Sequence, residues 1–145
     1  MFGNVGLVDL LEEALTKCGN INRSEIVISL VPQLMRMIRG TIYETRDYLM
    51  DGELIIAYKD SAFAITSNYN VLTIGNEYTM GSGSLTSFGS LYTTRYTDFK
   101  PETRVVLAIE AAGAKCPTVS KEVYLGDTSG TGFSKYNTVL KNRYK

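Results

Sequence analysis

The residues best placed to do chemistry in this chain are crowded together. Gly81-Ser82-Gly83-Ser84 is followed by Ser87, Gly89 and Ser90, where a strand-like pattern gives way to a helix-like one. Small residues ahead of a helix allow two things. Successive backbone N–H groups can converge on an anion, as in a phosphate cradle. Alternatively, Ser82 or Ser84 caps the helix while Gly83, Ser87 and Ser90 let it begin hard against a neighbour or an active centre. The nucleotide motifs ask for more than glycine. No Gly-Lys-Ser/Thr follows, and Gly-x-Gly-x-x-Gly fails at Thr86. The close-packed helix start is the stronger reading.

Composition removes much other chemistry. The chain has no histidine, which excludes Ser-His-Asp and Cys-His catalysis and His-ligated zinc. Two cysteines, Cys18 and Cys116, are too few for a thiolate zinc site and read as reduced thiols. No cofactor is implied. Fifteen basic residues balance fifteen acidic ones, so no net field draws nucleic acid or an anionic membrane. Asp9, Glu12 and Glu13 interrupt the first apolar run, which argues against a signal peptide, and the expected location is cytoplasmic.

The elements that must position the small residues follow from periodicity. Leu7, Leu10, Leu11, Ala14 and Leu15 predict a helix over about 5–18, with Asn4 as cap and Gly19 as stop. Asn22 and Glu25 form a capping-box pattern before a stripe from Ile26 through Leu30, Leu34, Ile38 and Ile42 to about Tyr48, kinked or divided by Pro32. Three strands follow, ELIIAYKD, SAFAITSN and VLTIG, with turns at Lys59-Asp60 and Asn68–Asn70. Helices are expected over about 83–98 and 104–114, the second entered through Pro101 and ended by Pro117, with Val105, Leu107, Ala108, Ile109 and Ala112 for its core. Glu122–Leu125 is a short strand. The expectation is a single α/β (α+β) domain over 1–145, a layered antiparallel sheet and helices, with a flexible loop about 126–135 and a basic tail 135–145.

This order, a hairpin and third strand, then TMGSG opening a helix and a second alanine-rich helix, resembles the proteasome β-subunit family, and more closely its ATPase-partnered HslV branch. SAFAITSNYNVLTIGNEYTMGSGSLTSFGSLYTTRY resembles the family's strand-strand-GSG-helix segment, and KPETRVVLAIEAAGAKCPTVSKEVYL its following helix, loop and strand. The resemblance implies an N-terminal-nucleophile-hydrolase-like fold and threonine-type peptidase chemistry. In that chemistry a terminal threonine hydroxyl attacks the carbonyl and its own α-amine is the base, so no histidine is needed.

The match has gaps. Met1 and Phe2 do not supply the nucleophile, and the family's first strands have no counterpart, so this chain alone is expected to be inactive. Only helper positions carry over: Ser82 matches the GSG serine near the amine, Gly81 and Gly83 its flanking glycines, and Ser120 a nearby hydroxyl. The family's acidic helper after the second helix is missing, because Lys115-Cys116-Pro117-Thr118 stands there. The implied partners are further copies, or a complementary chain supplying the missing strands, with an ATPase unfoldase beyond them. The alternative is a silent assembly protein on the same fold. The tyrosines read as packing, and Asp47, Asp51 and Glu53 as a solvated helix end and turn.

Overall fold

The computed structural model describes residues 5–120, 122–129 and 132–136. It is mixed α and β with small antiparallel sheets, and divides into two compact units, residues 2–75 and 76–145.

In the first unit, α1 (Val5–Thr16) turns Leu7, Leu11 and Ala14 to one side, and Cys18 continues that buried stripe just past its end. The expected Asn4 cap lies outside the described residues. The second helical stretch starts at Asn22, whose Oδ1 accepts the Glu25 N–H at 3.0 Å, as the capping pattern predicts. It then runs through α2 (Arg23–Glu25), a π-helical turn (Ile26–Leu30) and α3 (Val31–Ile38). The π turn is how Pro32 is accommodated. Proline has no N–H for the preceding turn, and widening the ladder, with the Val31 N–H bonded to the Ile26 carbonyl, lets the helix continue.

The stripe predicts helix to about Tyr48, but α3 stops at Ile38. Gly40 turns the chain left-handed at φ 74°, and Thr41 Oγ1 donates to the Ile38 carbonyl at 2.6 Å. Ile42 is therefore 83% exposed, whereas Leu34 is fully buried at 0%.

The three predicted strands form one antiparallel sheet in the order β1 (Leu54–Tyr58), β2 (Ser61–Ile65), β3 (Val71–Ile74). Its turns place Lys59 and Tyr69 at positive φ. Leu54, Ile56, Phe63 and Ile65 face the helices and share their core. The register puts Ile55, Ala57, Ala62, Ala64, Leu72 and Ile74 on the opposite face, which has no polar side chain. Ile55 and Leu72 on it are 42% and 44% exposed. Neither outer edge of the sheet pairs with another strand among the described residues.

The second unit holds α4 (Ser84–Thr93), α5 (Pro101–Lys115) and a hairpin of β4 (Val123–Leu125) and β5 (Ser134–Tyr136). Pro101 opens α5 as expected. Three details differ from expectation. α4 ends five residues before Asp98, Val106 rather than Val105 is buried, and β5 occupies the end of the segment read as a loop. The tail beyond Tyr136 lies outside the described residues. No helix among those described is long and apolar enough to cross a membrane.

Sequence pattern alone treats Leu34 and Ile42 alike, and the fold separates them. In urea unfolding of the full chain we expect Leu34→Ala to cost about 2–5 kcal/mol, and Ile42→Ala to stay within about 0.5 kcal/mol of the parent.

Candidate functional site

The small-residue stretch begins after an ionic clamp. Glu77, whose side chain is 7% exposed, accepts from Arg95 Nη2 at 2.9 Å and also from Arg104 Nη2. Arg104 continues to the Leu91 carbonyl at 2.9 Å and, through Nε, to Thr94 Oγ1 at 3.4 Å. One carboxylate thereby ties the chain entering the site to the C-terminal end of α4 and the first turn of α5. Cations at the end of α4 also suit its dipole. The two guanidiniums hold the Glu77 carboxyl below the ordinary glutamate value, mainly by hydrogen bonding.

From Glu77 the chain reaches Thr79, whose hydroxyl donates to the Ser84 carbonyl at 2.9 Å. Gly81 then takes φ 90°, a left-handed conformation that favours glycine. Gly83, at φ −92° and ψ 5°, stands at the N-cap of α4 with no side-chain cap bond. The expectation that Ser82 or Ser84 caps the helix is therefore wrong. The companion expectation of close approach holds. A Cβ on Gly83 would lie 2.7 Å from Ala112 Cβ and 2.8 Å from Val119 Cγ2. One turn on, Ser87 Oγ donates to the Ala108 carbonyl at 3.2 Å, so α4 lies along α5 through its small residues.

Released from capping, the exposed Ser82 hydroxyl meets Thr118 Oγ1 at 2.7 Å. Thr118 Oγ1 in turn lies 3.1 Å from Cys116 Sγ. The turn that carries them is set by Pro117. The residue before a proline avoids the helical region, and Cys116 is extended at φ −115° and ψ 112°, ending α5. Its N–H still bonds the Ala112 carbonyl at 2.7 Å, and the Val119 N–H closes onto the Cys116 carbonyl at 3.1 Å. Hydrogen bonds from Ser82 first, and then from the Thr118 hydroxyl and N–H, hold the Cys116 thiol below its ordinary value. Cys18 is the opposite case, pushed up chiefly by burial.

Gly81, Ser82 and Gly83 thus sit together at one junction. Ser120 does not join them by any described bond; its Oγ accepts the Glu122 N–H at 3.0 Å and shapes the turn into β4. Cys116 and Thr118 do join them, though sequence reasoning set that segment aside for lacking an acid. The available signal was Pro117, which forces a turn that carries Thr118 back along the end of α5.

The site as described holds hydroxyls, a thiol and backbone N–H groups. Such groups can orient a ligand or bind an oxyanion, and they include no carboxylate, imidazole or amine.

No protein-family model matches the sequence, and no curated protein does. A solved structure titled Thiobacillus denitrificans BPH is similar in fold, with a TM-score of 0.63 and 18% identity. The likeness covers 79% of this chain and 64% of that one, so this chain matches less than two thirds of its neighbour's length.

Two sets of variants test the geometry. Gly83→Ala is backbone-compatible but sterically blocked, and should cost about 1–3 kcal/mol. Gly89→Ala, in open space within α4, should gain about 0.5–1 kcal/mol. For Glu77 the folded value is depressed, so its contribution is present above the ordinary carboxylate range and lost as pH falls through the lowered value. In thermal melts Glu77→Gln should lie below wild type at neutral pH, with the gap closing as acid protonates wild-type Glu77.

Proposed function

We propose that this chain is part of a threonine-type peptidase assembly of the proteasome or HslV kind, on an N-terminal-nucleophile-hydrolase-like fold. A further segment or chain supplies the nucleophile. The observation that carries the reading is the fit at the start of α4: Gly83 packed without room for a Cβ, and beside it a Ser82 hydroxyl held outward by Thr118. A helix start this close to its neighbour leaves the Ser82 hydroxyl exposed beside two glycines. In this reading the Ser82 hydroxyl bonds the terminal amine that serves as base, and the N–H of Gly81 or Gly83 receives the developing oxyanion. The absence of histidine agrees with that chemistry.

The same reading gives the sheet a partner. The exposed apolar residues Ile55 and Leu72 on the second face, and the sheet edges unpaired among the described residues, are suited to further strands from another segment or another copy. An ATPase unfoldase belongs to the assembly in this reading, feeding it unfolded chains. A second reading, a catalytically silent assembly protein on the same fold, draws on the exposed row of Leu85, Phe88, Tyr92 and Tyr96 along α4 and beyond its end. That row suits protein contact and has no part in the chemistry.

Purification of the protein from its native source, with N-terminal sequencing of every co-purifying chain and a fluorogenic peptide assay, separates these readings. We expect an assembly that contains a threonine-initiated chain, hydrolyses peptides and is stopped by a peptide boronate. Ser82→Ala in it should lower kcat on the order of 10²-fold. An assembly without hydrolysis leaves the silent reading, and a lone, inactive chain overturns both.

A further inference from the structure

We propose that Thr118 is the positioning residue of this site, a hydroxyl at the end of α5 that sets the direction in which the Ser82 hydroxyl donates. The proposal rests on the peptidase reading for its functional meaning, and on geometry for its existence.

A threonine hydroxyl has one proton to give and two lone pairs to receive with. Thr118 Oγ1 has two close partners, Ser82 Oγ at 2.7 Å and Cys116 Sγ at 3.1 Å. It can donate to at most one of them, and its two lone pairs let it accept from the other. When sulfur carries a thiolate, which is an acceptor only, the Thr118 proton goes to sulfur and Ser82 donates to Thr118 or to the sulfur. The Ser82 lone pairs are then free to accept from an incoming amine N–H. With a neutral thiol donating to Thr118, the Thr118 proton turns toward Ser82, whose own proton then points outward. Thr118 is therefore the link through which the sulfur's state fixes whether Ser82 faces a ligand as acceptor or donor. It takes this part at the place where the family resemblance leads one to expect an acid.

Cys116 makes the link measurable without any peptidase activity. It is partly exposed, whereas Cys18 is buried and serves as an internal reference. The experiment is the pH profile of Cys116 alkylation by iodoacetamide on the intact chain, read peptide by peptide by mass spectrometry. We expect a wild-type midpoint below that of an ordinary thiol. Thr118→Val, which keeps the shape and removes the hydroxyl, should move the midpoint up and slow alkylation severalfold at neutral pH, and Thr118→Ser should restore it. Ser82→Ala should shift the profile in the same direction. The double variant should shift it by less than the sum of the two, because both act through one chain of hydrogen bonds.

A Thr118→Val profile that coincides with wild type overturns the proposal, and so do strictly additive shifts. Should Thr118→Val fail to fold, Thr118→Ala decides, since an unchanged profile there equally removes the link. The two layers fail separately. A shifted profile on a protein that never hydrolyses peptides removes the peptidase reading and leaves the link. An unshifted profile on a hydrolysing assembly removes the link and leaves the reading.

Discussion

The second unit depends on there being no side chain at Gly83. With Ala112 Cβ and Val119 Cγ2 both inside 3 Å of where a Cβ would stand, α4 can begin only as close to α5 as glycine allows. That distance brings Ser87 to the Ala108 carbonyl and Ser82 to Thr118. The small residues are a contact surface, and the hydroxyls among them are held in place as a consequence. A helix capped by Ser82 would turn that hydroxyl inward onto its own N–H groups. With glycine at the cap position, the hydroxyl is spent on another element instead.

Glu77 holds the same junction from the other side. Its carboxylate joins two arginines that sit at opposite ends of the α4–α5 connection, and the bonds from Arg104 to Leu91 and Thr94 extend the clamp to the last turn of α4. The charge in this region is thus engaged in structure. The bonds linking Ser82, Thr118 and Cys116 involve two hydroxyls and a thiol. Neutral hydroxyls can aim a proton but cannot take one from an alcohol at neutral pH. In the peptidase reading the base comes with the nucleophile, as a terminal amine with an ordinary value near neutrality.

Element order was legible in the sequence because it rests on local signals. The Asn22 cap and Pro101 at the head of α5 follow from what single residues permit. The turns at 59–60 and 68–70 follow from the breaks between apolar runs, although Lys59 and Tyr69 take a positive φ their side chains disfavour. The misses concern competition between local and distant partners. Ser82 and Ser84 are good caps in isolation, yet Ser82 finds Thr118, thirty-six residues away, and no periodicity announces that. Ile42 continues the apolar stripe by count, but Gly40 leaves the helix two residues earlier. The π turn at Ile26–Leu30 was only half legible: Pro32 signals a disturbance, and the surrounding core decides that the helix widens instead of breaking. Thr118 was overlooked because an acid was sought in its place, and a hydroxyl in a turn carries no sequence signature of its own.

The three-stranded sheet adds a constraint independent of the Gly-Ser junction. Surface antiparallel sheets alternate apolar and polar residues, and β1 and β2 do not. LIIAY and SAFAI place apolar side chains on both faces, with Leu54, Ile56, Phe63 and Ile65 in the core and only alanine, isoleucine and leucine opposite. Cross-strand neighbours on that second face pair Ala62 with Ala57 and Ile74, and Ala64 with Ile55 and Leu72. The result is a face whose centre, Ala64, is already fully buried, with Ile55 and Leu72 on either side of it still partly exposed. Burial of such a face stabilises at roughly 25 cal/mol per Å², and sheet edges left unpaired among the described residues are open to further strands. The peptidase and assembly readings therefore share one physical requirement, a second layer over this face. They part on whether a threonine nucleophile comes with the assembly.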